Sequence, residues 1–173
     1  LDELEAELNY ADRRVAGDVA VRSDSLRVLT IAGELPLNLS FNPVEERLPE
    51  EVIDLVVVSD LLPLSLLMAP YPGFQQVVGT MSGRVDVRGT SRSLAPTGRL
   101  TLDGGGAFLS GLGVRHEDVT GTLDWFPDGR LEVNAGARAL GTATVEGTVT
   151  LTTALDPGLD LDVRFDGFQA LDR

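Results

Sequence analysis

The sequence predicts an all-β protein built on a long, curled antiparallel sheet with one short helix. Aliphatic and polar residues alternate with a period of two in many segments, as in strands with one dry and one wet face. A string of the form glycine, polar, aliphatic, polar, aliphatic also recurs, as in Gly83-Arg84-Val85-Asp86-Val87. Turn sequences separate these segments, and strands with a single apolar face favour antiparallel pairing.

The alternating segments follow one another along the whole chain and predict about ten strands. The first runs from Leu4 to Tyr10, and later ones cover residues 130–135 and 159–166. Hairpin turns are predicted at Pro127-Asp128-Gly129 and at Asp156-Pro157-Gly158. The glycine-led strings begin at Gly17, Gly33, Gly83, Gly98, Gly121 and Gly147.

One stretch departs from the strand pattern and predicts a short helix at about residues 60–69. Ser59 or Asp60 can cap it, and Pro63 is tolerated in a first turn. The surrounding hydrophobic stretch, residues 52–70, is interrupted by Asp54, Asp60 and Pro63. It therefore predicts a strand followed by a short helix, and not a membrane span. Residues 42–51 are a polar loop, and residues 95–98, Ala-Pro-Thr-Gly, predict a turn. With no linker, residues 1–173 form one segment, and the missing initial Met suggests a piece of a longer protein.

Composition excludes several classes of function. The formal net charge is −13, which disfavours nucleic acid and anionic membrane surfaces as partners. Cysteine is absent, which excludes disulfides and thiolate metal sites. Only 5% of the residues are aromatic, whereas 43% are hydrophobic. The apolar surface is therefore mostly Leu, Val and Ala, which suits alkyl groups better than bases or sugars.

The phase of the glycines suggests how the dry face is used. Each glycine precedes two aliphatic residues by two and four positions, so all three point to the same face of the sheet. A glycine can simply start a strand after a turn, or it can allow bending and close approach inside the strand. Two arrangements would accommodate the apolar face: it packs on a second sheet to form a sandwich, or it remains an open trough for a ligand.

No constellation predicts catalysis, a metal site or a cofactor. His116-Glu117-Asp118 is the one place where a base adjoins carboxylates, and adjacent strand residues point to opposite faces, so a surface turn is the preferred reading. The aspartates at 160, 162 and 166 form an acidic stripe that is typical of a solvated strand face. The residues thus predict a protein that is not an enzyme.

Four phrases resemble the TamB and AsmA-like group of bacterial envelope proteins. Residues 53–70, IDLVVVSDLLPLSLLMAP, match a strand followed by a short apolar helix. Residues 79–105, GTMSGRVDVRGTSRSLAPTGRLTLDGG, match one glycine-led strand leading through a proline turn to the next. Residues 119–151 and 159–171 are also typical. Individually these phrases are degenerate, and their order over nearly the whole chain carries the resemblance.

The resemblance implies a taco-like half-barrel groove with an apolar concave interior. It also implies a periplasmic part of an inner-membrane-anchored protein that conducts phospholipids between the inner and outer membranes and aids outer-membrane protein assembly. The expected partners are phospholipid acyl chains, neighbouring segments of the same longer chain and an outer-membrane β-barrel protein. The alternative is a structural or adhesive β-sandwich module of a surface protein. The predicted groove lining is Leu8, Tyr10, Val19, Val21, Leu37, Leu39, Val85, Val87, Leu100, Leu102, Leu123, Leu131, Val133, Val149, Leu161, Val163 and Phe165.

Overall fold

The computed structural model describes residues 3–41, 43–44, 46–111, 114–139, 141–150 and 158–166. They form an all-β protein with one short helix, α1, at Leu64–Met68. The strands are β1 Glu3–Ala11, β2 Arg14–Ser23, β3 Leu26–Pro36, β4 Ile53–Pro63, β5 Phe74–Thr90, β6 Ser93–Leu109, β7 Val114–Trp125, β8 Arg130–Ala139, β9 Gly141–Thr150 and β10 Gly158–Asp166.

All ten strands belong to one antiparallel sheet in which each strand pairs with its neighbours in sequence, in the order β1 to β10. Within the described part of the chain there is no second sheet, so these residues do not form a two-sheet sandwich. The sheet is not strongly curled, in contrast to the predicted taco-like groove. The all-β class with one short helix is confirmed, whereas the half-barrel shape is not.

The helix is shorter than predicted and begins later. Ser59 and Asp60, the predicted caps, lie inside β4, which continues to Pro63. The hydroxyl of Ser59 donates to the carbonyl oxygen of Met81 at 2.6 Å, so it stabilises the sheet and does not cap α1. The position before the helix is occupied by Pro63, and no side chain caps the first turn.

Turn predictions succeed where the two strands are directly joined. Between β7 and β8, Gly129 N donates to Phe126 O at 3.0 Å, and Arg130 N donates to the Asp128 carboxylate at 3.1 Å, as a tight turn requires. The turn predicted at Asp156-Pro157-Gly158 involves residues outside the described ranges. The turn predicted around Pro96 is wrong, since Pro96 lies within β6 opposite Val87. Residues of β6 before Gly98 have no partner on the β7 side, and a strand can accept proline where one edge is free.

A row of bulges crosses β4 to β7 near α1. Register shifts occur between Ser59 and Leu62 in β4, and at matching positions of the next three strands. Residues with positive φ mark these shifts: Leu61 (+54°), Gln76 (+51°), Gly104 (+57°) and Asp118 (+50°). Bulges bend a strand and increase its twist locally. The predicted surface turn at residues 116–118 is therefore wrong. His116 and Glu117 belong to β7 and pair with β6 and β8, respectively, and Asp118 is a bulge residue.

The 16-residue connection between β3 and β4 leads into the start of β4, whereas α1 follows its end. The connection and the helix therefore lie at opposite ends of β4. On one side, Leu39 N donates to the Tyr10 hydroxyl at 3.2 Å. On the other side, Arg92 in the β5–β6 turn makes ion pairs with Glu46 and Glu50 at 3.1 and 3.0 Å. The connection is thus fixed at both flanks and spans the ends of the first six strands.

Candidate functional site

The register places most of the large aliphatic residues of the sheet on one side, which we call the aliphatic face. Directly opposed residues of an antiparallel pair share a face, and alternate residues of a strand return to it. One row of opposed positions crosses all ten strands without interruption. Its members, from β1 to β10, are Leu4, Val21, Leu29, Ser59, Gly83, Leu100, Leu123, Val133, Gly147 and Leu161.

Most of the predicted lining residues occupy register positions on this face. Leu37 and Leu39 do not, because β3 ends at Pro36 and both residues belong to the β3–β4 connection. The side chains of Leu161, Val163 and Phe165 lie outside the described part of the structure, although their backbones pair with β9. The residues that share the face are Leu8, Tyr10, Val19, Val21, Val85, Val87, Leu100, Leu102, Leu123, Leu131, Val133 and Val149.

The prediction missed the contribution of β3 and β4 to this face. Ile31 and Val57 oppose each other, and Val57 opposes Val85 of β5. Alternation in residues 29–35 could have identified Ile31. The three consecutive valines 56–58 conceal the phase of β4, because an unbroken apolar run does not show which members face inward.

Protein covers the aliphatic face only in part, and least at the edge strand β1. Leu4 and Leu8 on β1 are 63% and 58% exposed, and Tyr10 is 45% exposed. The described apolar side chains that are buried are few and small for a ten-stranded sheet. They are Ala20, Val28, Pro36, Ile53, Leu62 and Val85. Of these, Ile53, Leu62 and Val85 lie on the aliphatic face, whereas Ala20 opposes Glu5 and Pro36 opposes Arg14 on the other face. A continuous apolar surface of this kind marks a site where another apolar group binds.

Helix α1 is the main element that packs on the aliphatic face. It contacts β4 and β5, where Ser59 and Leu62 are buried. Beside it is a cavity of about 130 Å³ that extends over β6, β7 and β8. Leu64 of the helix and Met81 of β5 form one wall, and Leu100, Leu123 and Val133 belong to the floor. The structure therefore brings four of the predicted lining residues, Leu100, Leu102, Leu123 and Val133, into one partly enclosed apolar site.

Wider depressions lie elsewhere but have a different chemistry. One of about 380 Å³ is lined by Thr101, Thr122, Asn134 and Glu146, which occupy opposed positions on the other face of the sheet. A second, of about 640 Å³, lies at the β3–β4 connection and includes Arg13 and Glu46. Polar and charged linings would leave an alkyl chain without apolar contacts, so neither depression suits it as well as the smaller cavity.

The opposite face carries ion pairs. Arg84 donates two hydrogen bonds to Asp86, at 2.7 and 3.0 Å, and these bonds lower the pKa of the Asp86 carboxyl below its ordinary value. Arg99 of β6 pairs with Asp124 of β7, and the hydrogen bond raises the pKa of the guanidinium. Exposed pairs of this kind add little stability. Their charged groups make this face polar and solvated, so the two faces of the sheet differ in polarity.

No match was found when the chain was compared with known protein families, curated proteins and solved structures. Within the described ranges, acidic and histidine side chains nowhere gather in threes or more in a way that could hold a metal ion. The same residues include no helix with the length and hydropathy needed to span a membrane. The aliphatic face with its cavity is therefore the candidate site.

Proposed function

We propose that this chain is a segment of a TamB-like envelope protein whose aliphatic face carries phospholipid acyl chains across the periplasm, between the inner and outer membranes. The observation that supports the proposal is the row of opposed aliphatic and small residues that crosses the sheet from Leu4 to Leu161. Such a row forms a continuous path perpendicular to the strands. Among the described elements only α1 and the β3–β4 connection lie against the sheet, and no second sheet covers the path.

Hydrophobic free energy explains why such a face could conduct lipid. Burying a methylene group contributes about 0.8 kcal/mol, so a chain of about fifteen methylenes gains about 12 kcal/mol. This gain is comparable with what the chain loses on leaving a bilayer. An aliphatic surface with few polar groups imposes no fixed pose, because dispersion and hydrophobic contacts are not directional. Acyl chains could therefore slide along the face while their headgroups stay in water.

The proposed transport needs a longer path than ten strands. Among the described residues, the edge strands β1 and β10 each have one side without a pairing strand, which neighbouring segments of the same longer chain could extend by further pairing. We also propose that the aliphatic face is the concave side of a shallow trough that deepens around bound chains. The resemblance adds inner-membrane anchoring, an outer-membrane β-barrel partner and a role in outer-membrane protein assembly. The segment itself acts as a conduit and not as an enzyme.

Native mass spectrometry of the purified chain tests the proposal. Wild-type protein should retain phospholipid. Val87→Asp places a charge on the aliphatic face at a half-buried position and should abolish lipid retention while the β-sheet circular dichroism persists. The matched control is Thr101→Asp, which adds the same charge on the opposite face, where the neighbours Ser82 and Thr122 are polar. Equal lipid retention by Val87→Asp and Thr101→Asp would contradict the proposal.

A further inference from the structure

The cavity beside α1 has a specific structural origin. In β7 and β8, Gly121 and Ala135 are directly opposed, and they lie between the larger Leu102 and Val145 in the same row. Two adjacent positions on the aliphatic face thus lack large side chains, and this absence makes the floor deep. Leu64 on α1 and Met81 on β5 supply the wall above it. The hollow is a local feature of three strands and the helix.

The chemistry of the lining is uniform. Thr122 and Asn134 also border the cavity, but they alternate with Leu123, Val133 and Ala135, so their side chains belong to the opposite face. The hollow therefore presents aliphatic side chains to an occupant. A fully enclosed cavity of about 150 Å³ lined by such groups accepts benzene, whereas this one is open on one side, where a longer chain can leave it. The volume of 130 Å³ is similar and admits a chain end of about five or six carbon atoms.

We propose that this cavity is a discrete binding site for the terminal part of a single unbranched acyl chain. The inference rests on the lipid-carrying function proposed above and adds a defined position to it. The chain end lies between Leu64 and the floor formed by Gly121 and Ala135. The rest of the chain continues over the open part of the aliphatic face. A lipid on this segment would then pause at α1, whereas it would slide freely over β1 to β3, which β4 and β5 separate from the cavity.

Titration of the 173-residue chain with 1-hexanol tests the site, since this neutral probe has one short unbranched chain. Methyl signals of Leu64, Leu123, Val133 and Ala135 should shift saturably in ¹H–¹³C spectra. Those of Val19 on β2 should not. Ala135→Leu fills the floor and should weaken hexanol binding at least about tenfold. Ala6→Leu makes the same change on the same face at β1, outside the cavity, and should bind like wild type.

Several results would overturn the inference. They are shifts spread evenly over the aliphatic face, shifts that do not saturate, and wild-type binding by Ala135→Leu. If Ala135→Leu does not fold, Leu64→Ala removes the wall instead, and wild-type affinity in that variant would equally reject the site. The two proposals fail separately. Retained phospholipid with diffuse hexanol shifts leaves the carrier function and removes the site. Localised hexanol binding without retained phospholipid leaves an apolar pocket and removes the carrier function.

Discussion

Gly83 and Gly98 occupy reciprocal positions on the neighbouring strands β5 and β6. Their φ angles are +142° and +139°, a region that favours glycine. A Cβ on Gly83 would lie 2.1 Å from the carbonyl oxygen of Arg99, and a Cβ on Gly98 would lie 2.1 Å from that of Arg84. Each glycine is directly opposed by a larger residue, Leu100 for Gly83 and Val85 for Gly98, and the missing Cβ lets the carbonyl that precedes this opposed residue approach closely. The requirement for glycine here is local to the strand pair.

Gly83→Ala should therefore destabilise the protein by about 1–3 kcal/mol, the usual cost of forcing a residue into a backbone region that only glycine occupies readily. Urea denaturation followed by circular dichroism measures the change as a lower midpoint. Gly73→Ala is the control, because a Cβ there meets nothing within 4 Å and φ is not positive. It should change stability by less than about 0.5 kcal/mol. Similar midpoints for the two variants would show that β5 tolerates a side chain at residue 83.

The glycine pattern shows how far sequence could predict the fold. Its phase correctly placed Gly83 and Gly98 on the aliphatic face, since period-two alternation is a property of the strand itself. Both glycines lie inside their strands, so the interpretation that they merely start strands after turns is wrong for them. Strong curl did not follow from them, because curvature depends on the twist and bulges of many strands together. A string of five residues does not specify the combined twist and bulges of ten strands, so it cannot predict the curvature of the sheet.

Period-two alternation also allowed part of the candidate site to be predicted. Leu100, Leu123 and Val133 were identified because each follows a clear alternation. Leu37 was assigned to a strand because the alternation continues through Pro36, whereas the strand ends at that proline. The cavity itself could not be predicted, because it depends on where α1 packs on the sheet. That position is a tertiary contact between residues distant in sequence, and no local pattern encodes it.

Leu62→Ala tests the packing of the sheet at the end of β4, next to α1. Leu62 is 3% exposed, and truncating a buried leucine costs about 2–5 kcal/mol. Thermal or urea unfolding of the variant should show a loss within that range. The adjacent Leu61 provides the control, since it is 56% exposed and its replacement by alanine should cost less than about 0.5 kcal/mol. Equal losses in the two variants would mean that Leu62 is not buried in solution.

Ser59→Ala tests the hydrogen bond that replaces the predicted helix cap. Ser59 is buried and donates to Met81 O at 2.6 Å, so the variant leaves a carbonyl oxygen without that partner. The expected cost is about 1–3 kcal/mol. Ser110→Ala removes a similar bond to Gly73 O, 3.3 Å long and exposed, and should cost less than about 0.5 kcal/mol. Denaturation midpoints compare them, and a Ser59→Ala midpoint equal to that of Ser110→Ala would reject a role for the bond.

The ion pair of Arg84 and Asp86 predicts a pH dependence. Hydrogen bonds from Arg84 lower the pKa of Asp86 in the folded protein below its ordinary value. A carboxyl with a lowered folded-state pKa stabilises the fold above its unfolded-state pKa, and this contribution is lost as the pH falls through the folded-state pKa. Arg84→Gln should therefore raise the pKa of Asp86 towards its ordinary value and remove this acid-sensitive contribution.

Titration of the Asp86 carboxyl carbon by NMR measures that change directly, in wild type and in Arg84→Gln. The pair is exposed on the polar face, so added salt should reduce the pKa difference between the two proteins. Arg164→Gln is the control, because Arg164 pairs with Asp162 on β10, remote from Asp86 in the strand order, and should leave the Asp86 titration unchanged. An Asp86 pKa that is the same with and without Arg84 would show that the two hydrogen bonds from Arg84 do not persist in solution.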